Sequence, residues 1–208
     1  MKKLISLLTA ACMMLTFAAC GNTTNTDDTN TNQPDNTGAN DAATYKVGIV
    51  NYVDDPSLAQ IQAAIEEELT AKGEELGVVF DFADYTFNAQ ADQSNLNAIA
   101  TELVNDEVDL IIPIATPTAM VMQNATADNQ IPVVFSAVSD PVGAGLVESM
   151  DAPGGNITGT SDALDTKNIF NLILALNPDV QKIGLLYDAS QDSSMQAITD
   201  AEAYLTEQ

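Results

Sequence analysis

The 208-residue chain is 46% hydrophobic and 17% charged, which is typical of a globular protein with one ordinary core or most of a two-lobed one. Its 30 acidic residues outnumber 6 lysines, and with no arginine and no histidine the formal net charge is −24. Such a chain repels phosphate backbones and lacks the commonest base-reading side chain, so we expect no nucleic-acid partner. Without histidine, Ser/His and Cys/His nucleophilic sites and the usual zinc sites are excluded, and we predict no metal site and no cofactor.

The first twenty residues have the pattern of a bacterial secretory signal. Two lysines precede an apolar stretch from Leu4 to Ala19 that is too short and wrongly flanked for a good membrane-spanning helix. Cys20 follows in FAACG, which resembles a bacterial lipobox, where the cysteine is lipidated and becomes the new amino terminus. We predict a lipoprotein signal peptide over residues 1–19 and a lipid anchor at Cys20; the alternative is an ordinary signal peptide cut near Ala19.

Residues 20–44 predict a disordered tether behind that anchor. After Cys20 the segment has almost no apolar side chain beyond alanine, so it cannot bury enough surface to offset the entropy of ordering. A tether behind a lipid anchor holds a domain beside a membrane without entering it. No later segment has the roughly 20 apolar residues that a spanning helix needs.

From Tyr45 the sequence alternates between strand and helix signals. The predicted strands are YKVGIVNYV (45–53), VVFDFADY (78–85), VDLIIPIA (108–115) and IPVVFSA (131–137), with Pro113 at the fading end of the third. The predicted helices, with apolar residues at helical spacing, cover 56–77, 92–107 and 116–129. Repeated βα units of this kind predict a parallel sheet covered by helices on both faces.

The polar segment DAPGGNITGTSD, residues 151–162, interrupts this alternation of strand and helix signals. Beyond it we predict a helix (166–178), a strand (QKIGLLYD, 181–188) and a helix (193–208). One strand and two helices cannot form a stable lobe. We therefore divide the chain into a complete first lobe (45–152), an inter-lobe crossing (153–162) and the start of an incomplete second lobe (163–208), as in a truncated chain.

Small polar groups follow the predicted strands. Ligands of open parallel sheets bind at the carboxyl ends of the strands, and hydroxyl, amide and backbone N–H groups there suit a small ligand held by hydrogen bonds. Thr116 and Ser94 are also plausible as helix caps alone, and a tyrosine at a strand end could stack on a ligand ring or simply lie at the rim or in the core. The candidates are Tyr52, Asp54, Gln93, Ser94, Thr116, Ser136, Ala137, Val138, Ser139 and Tyr187.

Two pairs of carboxylates are candidates for acid–base chemistry. Asp54 with Asp55, and Asp188 with Asp192, lie in predicted loops, where aspartate is common. Consecutive aspartates also point in different directions. We predict no catalytic residue, and hence no enzyme.

Six segments, in order and spacing, resemble the ABC transporter substrate-binding lipoproteins of the tryptophan/tyrosine type. They are KVGIVNYVDDPSL, DQSNLNAIA, DLIIPIATPTA, IPVVFSAVSDPVGAGLV, PGGNITGTSD and KIGLLYD, between Lys46 and Asp188. The resemblance implies an α/β, type I periplasmic-binding fold, in which two Rossmann-like lobes close on a ligand. It implies a monomeric, extracytoplasmic protein that captures an amino acid, tryptophan or tyrosine, and delivers it to an ABC permease and its ATPase.

The resemblance also assigns roles to residues. It implies that Thr116 and the Ser136–Ser139 backbone hold the ligand carboxylate and that Asp162 accepts from the ligand ammonium. After the second-lobe strand, relatives usually have Asn-Pro-Gly and then Asn-Ser, whereas this chain has DASQDSS, with Ser193 at the later position. This departure leaves open which amino acid is bound. The alternative function is a ligand sensor of the same fold acting on a membrane receptor, not on DNA.

Overall fold

The computed structural model describes residues 42–189 and 191–207. The predicted signal peptide, the lipid anchor at Cys20 and nearly all of the tether lie outside these residues. No helix within the described part of the chain is both long and apolar enough to cross a bilayer.

The described chain contains six strands and five α-helices. In order they are β1 (Thr44–Asn51), α1 (Pro56–Leu76), β2 (Val79–Asp81), a 3₁₀ turn (Ala83–Tyr85), β3 (Thr86–Asn88), α2 (Gln93–Asn105), β4 (Leu110–Ile114), α3 (Thr116–Ala125), β5 (Val133–Val138), β6 (Ile157–Ser161), α4 (Thr166–Leu176) and α5 (Asp192–Glu207). The sheet order is β2-β1-β4-β5-β6, with β3 also beside β1, and every described pairing is parallel. The predicted parallel α/β sheet is confirmed.

Successive side chains of β1 point to opposite faces of the sheet and pack in two separate hydrophobic cores. Val47 and Ile49 pack with Ile112 and Ile114 of β4 on one face of the sheet. The apolar stripe of α1 covers this face, as its spacing predicted, through Leu58, Ile61, Ile65 and Leu69. The helix begins with Asp55 as N-cap and ends at Gly77, whose φ of 68° is the left-handed conformation that glycine adopts without strain.

The opposite face of the sheet is covered by α2 and α3. Leu96 and Leu103 of α2 and Met122 of α3 are buried against Val50 of β1 and Phe135 of β5. Burial on both faces explains why the central strands are nearly continuous apolar runs, as expected for parallel sheets. Helices on both faces were predicted, and the structure confirms them.

The second predicted strand is not a single strand. Residues 78–85 form the short β2 and then a 3₁₀ turn, after which β3 continues the sheet. The two short strands pair with different parts of β1, β2 with residues 44–46 and β3 with residues 49–51. At the turn between them, the Tyr85 N–H donates to the Phe82 carbonyl (3.1 Å).

Pro113 lies inside β4, not at a fading end. It stands opposite Val50 of β1, and the strand continues through Ile114. The N–H groups of Ile111 and Ala115 donate to the carbonyls of Pro132 (3.0 Å) and Ser136 (2.9 Å) on the β5 side. Proline has no N–H, so it removes one bond between these two from the ladder without ending the strand.

Two further differences concern the region after residue 150. The polar segment 151–162, which was predicted to interrupt the alternating strands and helices, contains β6, and β6 pairs with β5. The prediction of a strand over residues 181–188 is wrong, because these residues are irregular and the Leu186 side chain is 99% exposed. A strand needs a neighbour, and no described strand lies beside this segment. The helices predicted on either side of it are present as α4 and α5.

The turn from β4 into α3 contains a strained residue. Ala115 has φ 80° and ψ 156°, a combination that is nearly confined to glycine. Its N–H is bonded to Ser136 in β5, and its carbonyl accepts from the Ala119 N–H in α3 (3.2 Å). These bonds on both sides hold the alanine in place, so α3 begins directly after the strand.

At Gly159, β6 lies so close to β5 that a larger residue should destabilise the protein. It pairs with Phe135, and a Cβ at this position would overlap the Phe135 carbonyl oxygen and ring. We expect Gly159→Ala to lower the free energy of unfolding by about 1–3 kcal/mol, measured by denaturant titration. Gly155→Ala is the control, since nothing lies near its Cβ, and should change it by less than about 1 kcal/mol. Equal effects would contradict the close approach.

At Ala115, by contrast, a substitution by glycine should stabilise the protein, because the backbone there is strained. Ala115→Gly should raise the free energy of unfolding by about 1 kcal/mol, because relief of strain exceeds the added chain entropy of glycine. Ala119→Gly, at a buried position within α3, should lower it by about 1 kcal/mol or more. Denaturant titration of both variants decides the matter, and a loss of stability in Ala115→Gly would show that the backbone there is unstrained.

Candidate functional site

Four strand ends meet around a cavity at the carboxyl edge of the sheet. Tyr52 follows β1, Thr116 follows β4, Ser139 follows β5 and Asp162 follows β6. All four line a cavity of about 340 Å³, which we call the strand-end cavity. It lies where the strand order reverses between β1 and β4, the place where parallel α/β sheets bind ligands.

A second cavity of about 440 Å³, the helix-side cavity, adjoins the first. The two share Tyr52, Thr116, Pro117, Gln191 and Ser193. The strand-end cavity is completed by Val53, Asp55, Leu58, Ala115, Ala137, Ser139 and Asp162. The helix-side cavity is completed by Gln93, Met120, Val121, Asn124 and Asp188. Both volumes are in the range that small-molecule sites occupy.

Thr116 is the central side chain of this arrangement. It lies at the first turn of α3 and is only 3% exposed, yet its hydroxyl makes no hydrogen bond with the described residues. The neighbouring Thr118 bonds instead to the carbonyls of Ile114 (2.5 Å) and Ala115 (2.6 Å). Thr116 is therefore not a cap: the N-cap is Ala115, which has no side-chain bond to offer, and the start of α3 is uncapped beside the cavity.

Asp162 lies across the strand-end cavity from α3, at the end of β6. Its backbone N–H donates to the Val138 carbonyl (3.2 Å), which holds the residue in line with the sheet. Its carboxylate makes no hydrogen bond with the described residues. A carboxylate held by its backbone alone is ready to accept hydrogen bonds from a ligand.

A bulge in β5 forms part of the same wall. The pairing with β6 shifts register between Phe135 and Val138, and Ala137 between them has φ 54°. The bulge turns Ala137 and Ser139 toward the strand-end cavity, whereas Val138 is fully buried in the core. Bulges often re-aim side chains in this way beside binding sites.

The cavities are acidic. Asp55, Asp162 and Asp188 are the charged residues in the described linings, which contain no lysine. Asp55 is already engaged, because its Oδ1 accepts from the N–H groups of Ser57 (2.8 Å) and Leu58 (3.2 Å) at the start of α1. These two bonds lower the pKa of the Asp55 carboxyl group. The linings thus offer carboxylates and a helix N-terminus, but no basic side chain.

The structure brings together some of the residues predicted from sequence and leaves others apart. Tyr52, Gln93, Thr116, Ala137, Ser139, Asp162 and Ser193 line one or both cavities. Asp54, Ser94, Ser136, Val138 and Tyr187 line neither. Ser136 lies within β5, as it does in the predicted strand 131–137, and its carbonyl accepts from the Ala115 N–H (2.9 Å). The ligand-binding roles of all these residues stay predictions.

Several residues of the linings were not predicted from the sequence. Met120 and Asn124 follow Thr116 at intervals of four, so the helical period of α3 would have placed them on its face. Asp188 and Gln191 could not be found in this way, because the irregular loop that carries them has no period.

Comparison with known proteins gives the family. Residues 46–208 match the family described as ABC transporter substrate binding protein. The chain is 36% identical over 197 residues to the tyrosine-binding protein of Clostridioides difficile (strain R20291), covering 93% of this chain and 54% of that protein. The chain thus spans about half the length of the curated relative that it matches.

Two solved structures are similar to this fold. The ABC domain of Streptococcus pneumoniae in complex with L-Trp is 36% identical, with a TM-score of 0.71, and the match covers 79% of this chain and 54% of that one. A ligand-free, open substrate-binding protein with adhesive properties from Clostridium difficile is 33% identical, with a TM-score of 0.61 and coverage of 78% and 54%.

These matches confirm the predicted periplasmic-binding fold. Members of the matched family are extracytoplasmic components of transporters and are not enzymes. The match over residues 46–208 shows that the chain belongs to the ABC transporter substrate-binding protein family.

Proposed function

We propose that this protein is the lipid-anchored binding component of an ABC importer and that it captures an aromatic amino acid for delivery to a permease and its ATPase. The observation that carries the proposal is the pairing of Thr116 and Asp162 in one cavity. One side offers hydrogen-bond donors without a basic side chain, and the other offers a carboxylate. This is the complement of an α-carboxylate beside an α-ammonium.

The carboxylate of the ligand is held at the start of α3. A helix N-terminus has free N–H groups and a partial positive charge, both of which favour an anion. The Thr116 hydroxyl adds a donor that has no partner among the described residues. Such a site binds a carboxylate even though the surrounding chain is strongly acidic.

The ammonium of the ligand is held by Asp162. Its carboxylate can form a charge-assisted hydrogen bond, and such bonds are about twice as strong as neutral ones. No lysine in the described linings competes for it. Ser139, on the same wall, is a second oxygen acceptor within the cavity.

The aromatic side chain of the ligand occupies the helix-side cavity. Tyr52, Pro117, Met120 and Val121 supply an apolar wall, and Tyr52 reaches both cavities. Methionine and tyrosine both pack well against aromatic rings. The tyrosine-binding relative and the L-Trp complex support an aromatic ligand.

The remaining parts of the proposal concern the setting of the protein. A lipid at Cys20 and a tether over residues 20–44 would hold a monomeric binding lobe near the membrane, within reach of the permease.

Globomycin treatment of producing cells tests the anchor, since it blocks removal of the signal from lipidated cysteines. Cys20→Ser should release the protein from the membrane fraction.

The ligand is tested on the complete protein with a panel of amino acids and sugars. We expect tyrosine or tryptophan to raise the melting temperature, because a ligand at about 100 times its Kd stabilises the folded state by about 2.7 kcal/mol. Isothermal titration calorimetry then measures Kd. If no amino acid shifts the melting temperature, the proposed function is wrong.

Asp162→Ala is the sharpest single test of the ammonium site. Loss of a charged partner should weaken amino-acid binding by roughly 30-fold or more, measured by calorimetry, with little change in the melting temperature of the free protein. The matched control is Asp165→Ala, which removes the cap of α4 (Asn168 N–H to Asp165 Oδ1, 3.1 Å) outside both cavities. It should lower stability and leave Kd unchanged. Unaltered affinity in Asp162→Ala would remove Asp162 from the site.

A further inference from the structure

The methionines of the described chain lie in three kinds of environment. Met122 of α3 is 0% exposed and packs in the core. Met150, in the loop between β5 and β6, and Met195 of α5 are exposed and line neither cavity. Met120 of α3 is partly buried and lines the helix-side cavity. Met120 thus combines access from a cavity with a position in the proposed ligand site.

Resting on the proposed function, we propose that Met120 is an oxidation site and that its conversion to methionine sulfoxide weakens capture of the aromatic ligand. The oxidant is a hydroperoxide, for which hydrogen peroxide is the simplest probe. A lone pair of the Met120 sulfur attacks one peroxide oxygen, so that an S–O bond forms and the O–O bond breaks. The sulfur loses two electrons, and the other oxygen leaves as hydroxide and takes the proton of the transferred oxygen, giving water.

The position of Met120 on α3 gives a small oxidant access to its side chain. Methionine oxidation follows exposure, and the helix-side cavity of about 440 Å³ admits a molecule little larger than water. Met122 lies two residues further along the helix, and residues two apart do not share a helix face. One side chain therefore borders the cavity while the other is enclosed in the core. Peroxide should reach Met120 well before Met122.

The wall around Met120 is apolar where the ring of the ligand is proposed to lie. Tyr52, Pro117 and Val121 line the same cavity. A thioether packs favourably against an aromatic ring, whereas a sulfoxide is a polar group. A ring placed against the sulfoxide displaces its water without replacing the lost hydrogen bond. Oxidation should therefore weaken binding even though Asp162, in the strand-end cavity, is unaltered.

The backbone at Met120 is held independently of the sulfur atom. The Met120 carbonyl accepts from Asn124 Nδ2 (2.9 Å), and α3 continues to Ala125. The side chain borders the cavity, so the new oxygen can lie there without opening the core. Oxidation of Met120 should lower affinity with little change in the melting temperature of the free protein. Oxidation of the enclosed Met122 would instead disrupt the core and lower the melting temperature.

Graded oxidation with hydrogen peroxide tests this on the complete protein carrying Cys20→Ser, which leaves methionine as the only sulfur-containing residue after Ala19. Catalase removes the peroxide, peptide mass spectrometry gives the oxidised fraction of each methionine, and calorimetry gives Kd for tyrosine and tryptophan. Protein oxidised at Met120 should bind roughly tenfold or more weakly, and the high-affinity fraction should fall as Met120 is converted. Methionine sulfoxide reductases for both sulfoxide epimers should restore it.

Two variants assign the effect to one sulfur atom. The double variant Met150→Leu/Met195→Leu lacks the exposed methionines and should still lose affinity on treatment. Met120→Leu has no sulfur in the cavity, so peroxide should not lower its affinity below the value measured before treatment.

Ligand protection provides a test with the wild-type side chain. Bound tyrosine should slow the oxidation of Met120 several-fold, because it covers the wall of the helix-side cavity. It should leave the oxidation of Met150 unchanged, since this residue lies outside both described linings. Protection of neither residue would place the ligand away from Met120.

Several results would overturn the inference. They are full conversion of Met120 with an unchanged Kd, a loss of affinity that follows Met122 oxidation and a falling melting temperature, and a loss that persists in Met120→Leu. Failure of the proposed function looks different, because the untreated protein would then bind neither tyrosine nor tryptophan.

Discussion

The parallel pairing of β1 with β4 is the constraint on which the rest of the structure depends. Five residues of each strand are in register, from Val47–Leu110 to Asn51–Ile114, and both strands are buried between helix layers. Parallel neighbours need a crossover, so each strand is followed by a return through a helix or loop on the far side. All carboxyl ends therefore meet at one edge, and the order reversal there opens the cleft that Tyr52 and Thr116 line.

Two local irregularities shape that edge of the sheet. The strained Ala115 lets α3 start immediately after β4 with no side-chain cap, so the donors of its first turn stay available. The bulge at Ala137 brings Ser139 to the same cavity. Both alanines have positive φ, a conformation that costs stability and persists only where surrounding bonds enforce it. Both alanines line the strand-end cavity.

The electrostatics of the cleft follow from the composition of the chain. With no arginine or histidine in the chain and no lysine in the described linings of the two cavities, positive potential there comes from backbone dipoles, which act close to the helix end. The carboxylates of Asp162 and Asp188 are divided between the two cavities. The proposed zwitterionic ligand would offer its ammonium to these carboxylates, whereas a simple anion would be repelled by them.

The sequence by itself determined the parallel α/β class, the helices, both apolar stripes and the family, because these depend on local periodicity and on contiguous segments. Only the tertiary structure decided which segments form strands, because a strand needs a neighbouring strand with which to pair. The QKIGLLYD segment has the pattern of a strand but none of the described strands to pair with, whereas the polar ITGTS segment is a strand because Phe135 and its neighbours lie beside it. Asp188 lines the helix-side cavity from a loop. The course of a loop depends on contacts distant in sequence and follows no repeating pattern, so the sequence could not predict this position.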